Sequence, residues 1–343
     1  MSHIDETTNV IQVTDLKKYY NTSSTGLFKK QYKQLKALDG VTLTIHKGEI
    51  LGVVGESGCG KSTLGRAMMR LFPITDGQII FNGVDISHYT QNQIKPYRRE
   101  MQMIFQNPFS SFNPKKTIGA SLREVGRVYN MPEDELEDKI RELLEYIRLP
   151  QDMLRRAPKE LSGGQLQRLA IARALLLNPS FIVADEPVSA LDVSVQAQIL
   201  NLIIDLRKVY SMTMMFVSHE MTVVEHTCDR VAVMYLGKIV ELAPTKELFS
   251  NVLHPYTKAL LSAVPRNNPS ETKNRIVLEG DIPNAIDLPP GCRFAGRCRE
   301  CMGICREQDP PLTDLGNGHF VACHRVGAAG TAAAETPIDA EQA

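Results

Sequence analysis

An α/β fold with a phosphate-binding loop is predicted by three observations at one place in the chain. Residues 49–54 (Glu-Ile-Leu-Gly-Val-Val) form a short apolar run of the kind that makes a buried strand, and residues 63–69 carry a helical pattern. Between them lies Gly55-Glu56-Ser57-Gly58-Cys59-Gly60-Lys61-Ser62, a Gly-x4-Gly-Lys-Ser stretch leading from strand to helix. Glycines let a backbone wrap around phosphate oxygens where bulkier residues would block the approach. Free N–H groups at the start of the helix add partial positive charge. Lys61 can reach the β- and γ-phosphates, and the Ser62 hydroxyl can bind Mg2+. The chain is therefore read as a binder of a nucleoside triphosphate.

Composition narrows the class. At 343 residues the chain is long enough for a large core and two structural units. Its 39 lysines and arginines balance 39 aspartates and glutamates, which removes the electrostatic case for gripping nucleic acid along its length. No apolar run approaches the ~18 residues that span a bilayer. Residues 1–8 are polar and acidic, unlike a secretory signal, so a soluble cytoplasmic protein that can dock on a membrane protein is expected.

In chain order, residues 10–13 and 41–45 alternate as half-buried strands, and the polar, basic stretch 21–36 between them reads as a solvated loop. Tyr19 and Tyr20 precede that loop; a tyrosine there can stack on a base or pack on the surface. Residues 76–86 read as a hairpin with Asn82-Gly83 at its turn. A short alternating run, 101–106, gives way to the two-proline loop 107–114, whose Phe109 and Phe112 form a docking surface or pack beneath it. Periodicity is helical from Ile118 to about Leu176.

Leu161-Ser162-Gly163-Gly164-Gln165 is the second stretch that carries chemistry. Ser162 and Gln165 fit a capping box, and Leu166, Leu169, Ala170, Ala174 and Leu175 make the apolar stripe of the helix it starts. Two glycines in a first turn cost up to about 1 kcal/mol each, which suggests close approach by an anion. Residues 180–186 read as a buried strand ending in Asp185 and Glu186. Neighbouring strand residues point to opposite faces, so one acid can hold Mg2+ while the other accepts a proton from an attacking water. Ser189-Ala190-Leu191-Asp192 follows, then a helix with Ile199, Leu200, Leu202, Ile203 and Leu206 on its apolar side. A further strand, 212–217, ends at Ser218-His219, and 230–242 reads as a hairpin turning near Leu236-Gly237.

Gly55–Ser62, Gln106, Leu161–Gln165, Asp185-Glu186, Ser189–Asp192 and His219, in this order, resemble the ATP-binding subunit of an ABC transporter over about residues 10–255. The resemblance implies a P-loop NTPase fold of the ABC type, with an antiparallel β subdomain and a helical subdomain at about 107–176. It implies two subunits packed head to tail, with ATP and Mg2+ sandwiched between the phosphate loop of one (Gly55 to Thr63) and Leu161–Gln165 of the other. Tyr20 would stack on adenine, and Gln106 would sense Mg2+ and the attacking water. Ser62, Gln106 and Asp185 would hold Mg2+, Glu186 would be the general base, and His219 would contact the γ-phosphate.

Three further stretches resemble the dipeptide, oligopeptide and nickel importer branch: 105–114, 254–261 and the tail from 289 to 324. The nearest resemblance is to the second ATPase subunit of a dipeptide importer. Expected partners are a second ABC ATPase (a heterodimer), two membrane-spanning permease subunits and an external solute-binding protein, with no nucleic acid and a peripheral place on the cytoplasmic face of the membrane. Nickel or another small solute is the alternative cargo. A soluble ABC ATPase acting on nucleic acid or ribosomes is the reading from another class.

Five of the seven cysteines crowd into the last fifth of the chain, which in a reducing compartment suggests metal before disulfides. Cys292, Cys298, Cys305 and Cys323 match the family pattern associated with a [4Fe-4S] cluster, zinc being the alternative, while Cys301, with a zinc-like spacing from Cys298, departs from it. Residues 256–326 are read as this C-terminal extension and 327–343 as a disordered end. Cys59, inside the phosphate loop, is expected to be a site where alkylation inhibits hydrolysis and ATP protects.

Overall fold

A strand that is apolar at every position needs cover on both faces. In the computed structural model, which describes residues 5–25, 30–264, 275–280 and 283–327, the strands are β1 (Asp5–Thr25), β2 (Lys30–Lys47), β3 (Ile50–Val54), β4 (Asp76–Phe81), β5 (Val84–Asp85), β6 (Met101–Ile104), β7 (Phe181–Asp185), β8 (Thr213–Val217), β9 (Arg230–Tyr235), β10 (Lys238–Pro244), β11 (Thr313–Asp314) and β12 (Phe320–Val321). Eight of them form one sheet in the order β11-β12-β10-β9-β3-β8-β7-β6, parallel from β9 to β6. Residues alternate between two cores. Phe181, Val183, Met215 and Val217 pack toward the second sheet and the Lys61–Met68 helix. Ile182, Ala184, Met214 and Phe216 pack toward the Ile118–Val128, Glu133–Tyr146, Gly163–Leu175 and Val193–Tyr210 helices.

The second sheet is antiparallel, in the order β2-β1-β4-β5. Asn82 and Gly83 both have positive φ, 46° and 80°, the twist a two-residue hairpin needs. Within the stretch 21–36, residues 21–25 and 30–36 depart from expectation, residues 26–29 lying outside the described residues. They continue the ladder, with Asn21 opposite Gln34 and Thr25 opposite Lys30. Backbone pairing needs no apolar face, so two polar strands can stay paired beyond the core.

The tail is stitched to the main sheet through β12, where Val321 pairs with Glu241 of β10. Glu241 is fully buried and accepts the Leu253 N–H at 2.9 Å and the His254 N–H at 3.2 Å, with His319 Nε2 at 2.9 Å. His254 caps the Pro255–Ser262 helix, its Nδ1 accepting the Tyr256 N–H at 3.1 Å. Burial pushes its pKa down to about 3. The unfolded chain therefore takes up this proton first, and stability falls as pH drops from about 6.5 toward 3, by about 1.4 kcal/mol per unit. His254→Asn keeps a cap acceptor and removes that titration. Between pH 7 and pH 5 its urea midpoint is expected to fall less than that of the parent chain; equal falls would contradict the assignment.

Candidate functional site

Parallel register sets the site. Val53 of β3 and Asp185 of β7 both pair with Val217 of β8, so the three strands end level. Their following residues, the Gly55 loop, Glu186 and Ser218-His219, share one sheet edge, the usual place for a ligand in an open α/β sheet. Ile104 of β6 pairs with Ala184, which carries Gln106 to the same edge.

The loop turns through positive φ at Gly60 (109°), where an added Cβ would stand 2.5 Å from the Ala37 carbonyl oxygen, so only glycine fits. Lys61 is buried and donates to the carbonyls of Gly55 (2.7 Å) and Glu56 (3.0 Å). The Ser62 hydroxyl donates to Asp185 Oδ1 at 2.6 Å, and Arg66, one helical turn on, lies 3.4 Å from Oδ2. A hydroxyl and a carboxylate meeting at one point suit a hard cation with oxygen ligands.

Glu186 is not a continuation of the strand. Its φ is 48°, so a backbone turn, rather than strand alternation, separates the two acids. Its carboxylate accepts from Gln106 Nε2 at 2.9 Å and lies 3.4 Å from His219 Nδ1. Gln106 thus sits with Glu186 and Ser189 (3.4 Å). These residues, with Asn107 to Phe109, Gly163 and Leu191, line an open hollow of about 460 Å³. A larger hollow, about 1220 Å³, lies elsewhere, between β1, β2 and the tail, and its charges are paired internally, as Arg293 with Asp39 and Lys238 with Asp309.

Ser162 and Gln165 form the expected capping box, at 3.0 and 3.3 Å. The second glycine has a local reason: a Cβ on Gly164 would stand 2.5 Å from Val195 Cγ1 of the next helix. Tyr20 is partly exposed, edge-on to Phe72 at 6.3 Å with Lys18 Nζ 4.9 Å over its ring. In the proline loop, Phe109 is 48% exposed and Phe112 only 5%, so one phenylalanine faces solvent and the other packs beneath.

Cys59 corrects an expectation. It is 3% exposed, and burial raises its pKa, only partly offset by Lys61. A thiol that is both covered and protonated is a poor nucleophile. Alkylation of the native chain with N-ethylmaleimide is therefore expected to spare Cys59, as read by peptide mass spectrometry, until urea is added. Rapid native labelling of Cys59 would contradict this.

In the tail, burial raises Cys292 to about 11 and Cys298 to about 12, with neighbouring thiols adding to both, and also raises Cys323 and Cys301. The Cys292 N–H donates to the Cys305 carbonyl at 2.8 Å. The thiols converge, yet among the described residues no three His, Cys, Asp or Glu side chains form a group able to hold a metal ion. The arrangement does not support the expected [4Fe-4S] cluster or its zinc alternative.

Sequence reasoning missed two contacts with the loop. Arg297 pairs with the Glu56 carboxylate, and the Tyr256 hydroxyl accepts the Glu56 N–H at 2.9 Å. Arg66 was also missed, although its position four residues after Ser62, on the same helix face, was a usable signal.

Comparison with known proteins agrees with the geometry. Residues 38–189 match the ABC transporter family, and residues 240–305 match the oligopeptide/dipeptide transporter C-terminal region. The chain is 49% identical over 319 residues to the oligopeptide transport ATP-binding protein AppF of Bacillus subtilis, covering 92% of this chain and 97% of that protein. It is 46% identical to a putative peptide import ATP-binding protein of Brucella ovis, covering 93% and 98%. Among solved structures, the dimeric ATP-binding cassette MJ0796 in a post-hydrolysis state with ADP and Pi superposes with a TM-score of 0.60 at 27% identity, covering 68% of this chain and 98% of that one. CbiO1 from Clostridium perfringens, part of the transporter complex cbiONQ, gives 0.60 at 25%, covering 71% and 92%. A phosphate loop and a glutamate with its glutamine at one sheet edge, together with likeness along nine-tenths of its length, establish that this chain belongs to the ATP-binding proteins of ABC transporters, in the branch with the oligopeptide/dipeptide C-terminal region.

Proposed function

We propose that the chain is the ATP-hydrolysing subunit of a peptide importer. The observation that carries the proposal is Glu186, held by Gln106 beside His219 at the edge that bears the phosphate loop. The peptide cargo is supported by the names of the relatives and by the tail.

The loop N–H groups and Lys61 receive the triphosphate. Ser62 and Asp185, with Gln106 nearby, would hold Mg2+, which offsets phosphate charge when bound. Tyr20 offers a ring face to the base. Glu186 takes the proton of the attacking water, and Gln106 and His219 fix the direction of its carboxylate. Leu161–Gln165 faces the ATP of a partner subunit: Ser162 and Gln165 bond each other at the helix start, leaving helix N–H groups for an anion. Among the described residues no helix is long and apolar enough to cross a membrane, so coupling passes through docked permease subunits, with the exposed Phe109 in the contact.

A metal at the tail is supported by cysteine spacing alone, so no step is routed through it. Metal analysis of purified protein decides the point: stoichiometric iron with charge-transfer absorption, or stoichiometric zinc, would establish the site, and neither would dismiss it.

Purification from native membranes in mild detergent tests the importer reading. Two multi-spanning proteins and a second ATPase are expected to co-purify. Recovery solely from the soluble fraction, with nucleic acid or ribosomes attached, would contradict it.

A further inference from the structure

The phosphate loop carries a carboxylate at its second position, Glu56, beside the N–H groups and Lys61 that receive the triphosphate. A free carboxylate there would repel the phosphates. It is not left free. Arg297, from the C-terminal region and 241 positions away, donates Nη1 to Oε2 at 2.7 Å and Nη2 to Oε1 at 3.1 Å. This is the planar two-point geometry in which arginine binds carboxylate most specifically. The Arg297 side chain is 7% exposed and rests over the Tyr235 ring, whose hydroxyl lies 3.4 Å from Nη1. The Glu56 backbone is held from the same side, since its N–H goes to the Tyr256 hydroxyl at 2.9 Å. Tyr235, Tyr256 and Phe294 pack ring against ring with centroids 4.8 to 5.4 Å apart, so the arginine stands on a rigid base.

We propose that Arg297 is a positioning residue for the phosphate loop: it cancels the charge of Glu56 and draws its carboxylate out of the phosphate cradle, so that ATP affinity depends on the docked C-terminal extension. A purely structural strap would stabilise the fold without this electrostatic role. The two are separated by what happens when Glu56 also loses its charge. In Arg297→Met the carboxylate is released toward the phosphates and affinity falls. In the Glu56→Gln background no carboxylate is left to neutralise, so removing Arg297 exposes nothing to the phosphates. In the double variant the defect of Arg297→Met is relieved.

The test is titration of the full-length chain with a fluorescent ATP analogue, with folding checked by circular dichroism. Arg297→Met is expected to raise Kd about tenfold in the parent chain, and by no more than about threefold when it is made in the Glu56→Gln background. The proposal is overturned if Arg297→Met binds as the parent does, or if Arg297→Met raises Kd as much in the Glu56→Gln background as in the parent chain. Should Arg297→Met fail to fold, Arg297→Lys, which keeps the charge without the two-point geometry, takes its place. Its defect, about threefold, must disappear in the Glu56→Gln background, and persistence there overturns the proposal. The inference rests on the loop binding ATP. A parent chain that binds no nucleotide would overturn that reading, whereas equal binding by parent and variant overturns only the role of Arg297.

Discussion

Replacing Glu186 with glutamine is expected to slow ATP turnover by about 10²- to 10⁴-fold while leaving ATP binding within about threefold of the parent chain. Glutamine keeps the size of the side chain and an acceptor oxygen for the Gln106 amide, 2.9 Å away, but cannot take a proton from water. The neighbouring acid does not compensate, because Asp185 is already engaged by Ser62 at 2.6 Å and by Arg66 at 3.4 Å. Phosphate release measured beside nucleotide binding checks both halves. Turnover within tenfold of the parent would move the proton-accepting role to another group, with His219 the first to examine.

The second large effect is at Lys61. Its ammonium is buried and its hydrogen bonds run to the carbonyls of Gly55 and Glu56 and, at 3.9 Å, to the Cys59 sulfur, none with a full negative charge. A triphosphate supplies that charge, and charge-assisted bonds in a shielded site are the strong ones. Lys61→Ala is expected to weaken ATP binding by about 10²-fold, on the order of 3 kcal/mol. The same substitution loses only neutral partners within the loop when nucleotide is absent, the Gly55 and Glu56 carbonyls and the Cys59 sulfur at 3.9 Å, so the melting temperature without ATP should move far less than the shift produced by ATP. Isothermal titration and thermal melts with and without ATP read these together. An undiminished affinity would contradict the assignment of the loop.

The parts of the site that could be read from the sequence are those fixed by local spacing. Gly55 to Ser62 is a one-dimensional constraint, because the turn, the helix start and the lysine lie within eight residues. Ser162 and Gln165 are legible for the same reason. Contacts across the sheet were legible only by resemblance. Gln106 meets Glu186 because Ile104 pairs with Ala184, a register that no spacing announces. Phe109 and Phe112 read alike, yet one is exposed and one buried, since a turn between them decides which faces the core. The polar residues 21–25 and 30–36 looked like loop because apolar alternation signals a buried face rather than a ladder. Cys59 looked reactive because a motif shows position and not cover. Arg297 was hidden by distance along the chain, among arginines and cysteines that looked like a metal-binding tail.

On the proposed function, ATP hydrolysis at Glu186 drives peptide transport. The most direct measurement is uptake of a labelled peptide by sealed vesicles carrying the purified complex, with ATP supplied on the side where this subunit is exposed. The parent complex is expected to accumulate peptide only with ATP and Mg2+, and the complex carrying Glu186→Gln is expected to bind ATP yet accumulate none. Equal accumulation by the two complexes, or accumulation indifferent to ATP, would contradict the claim.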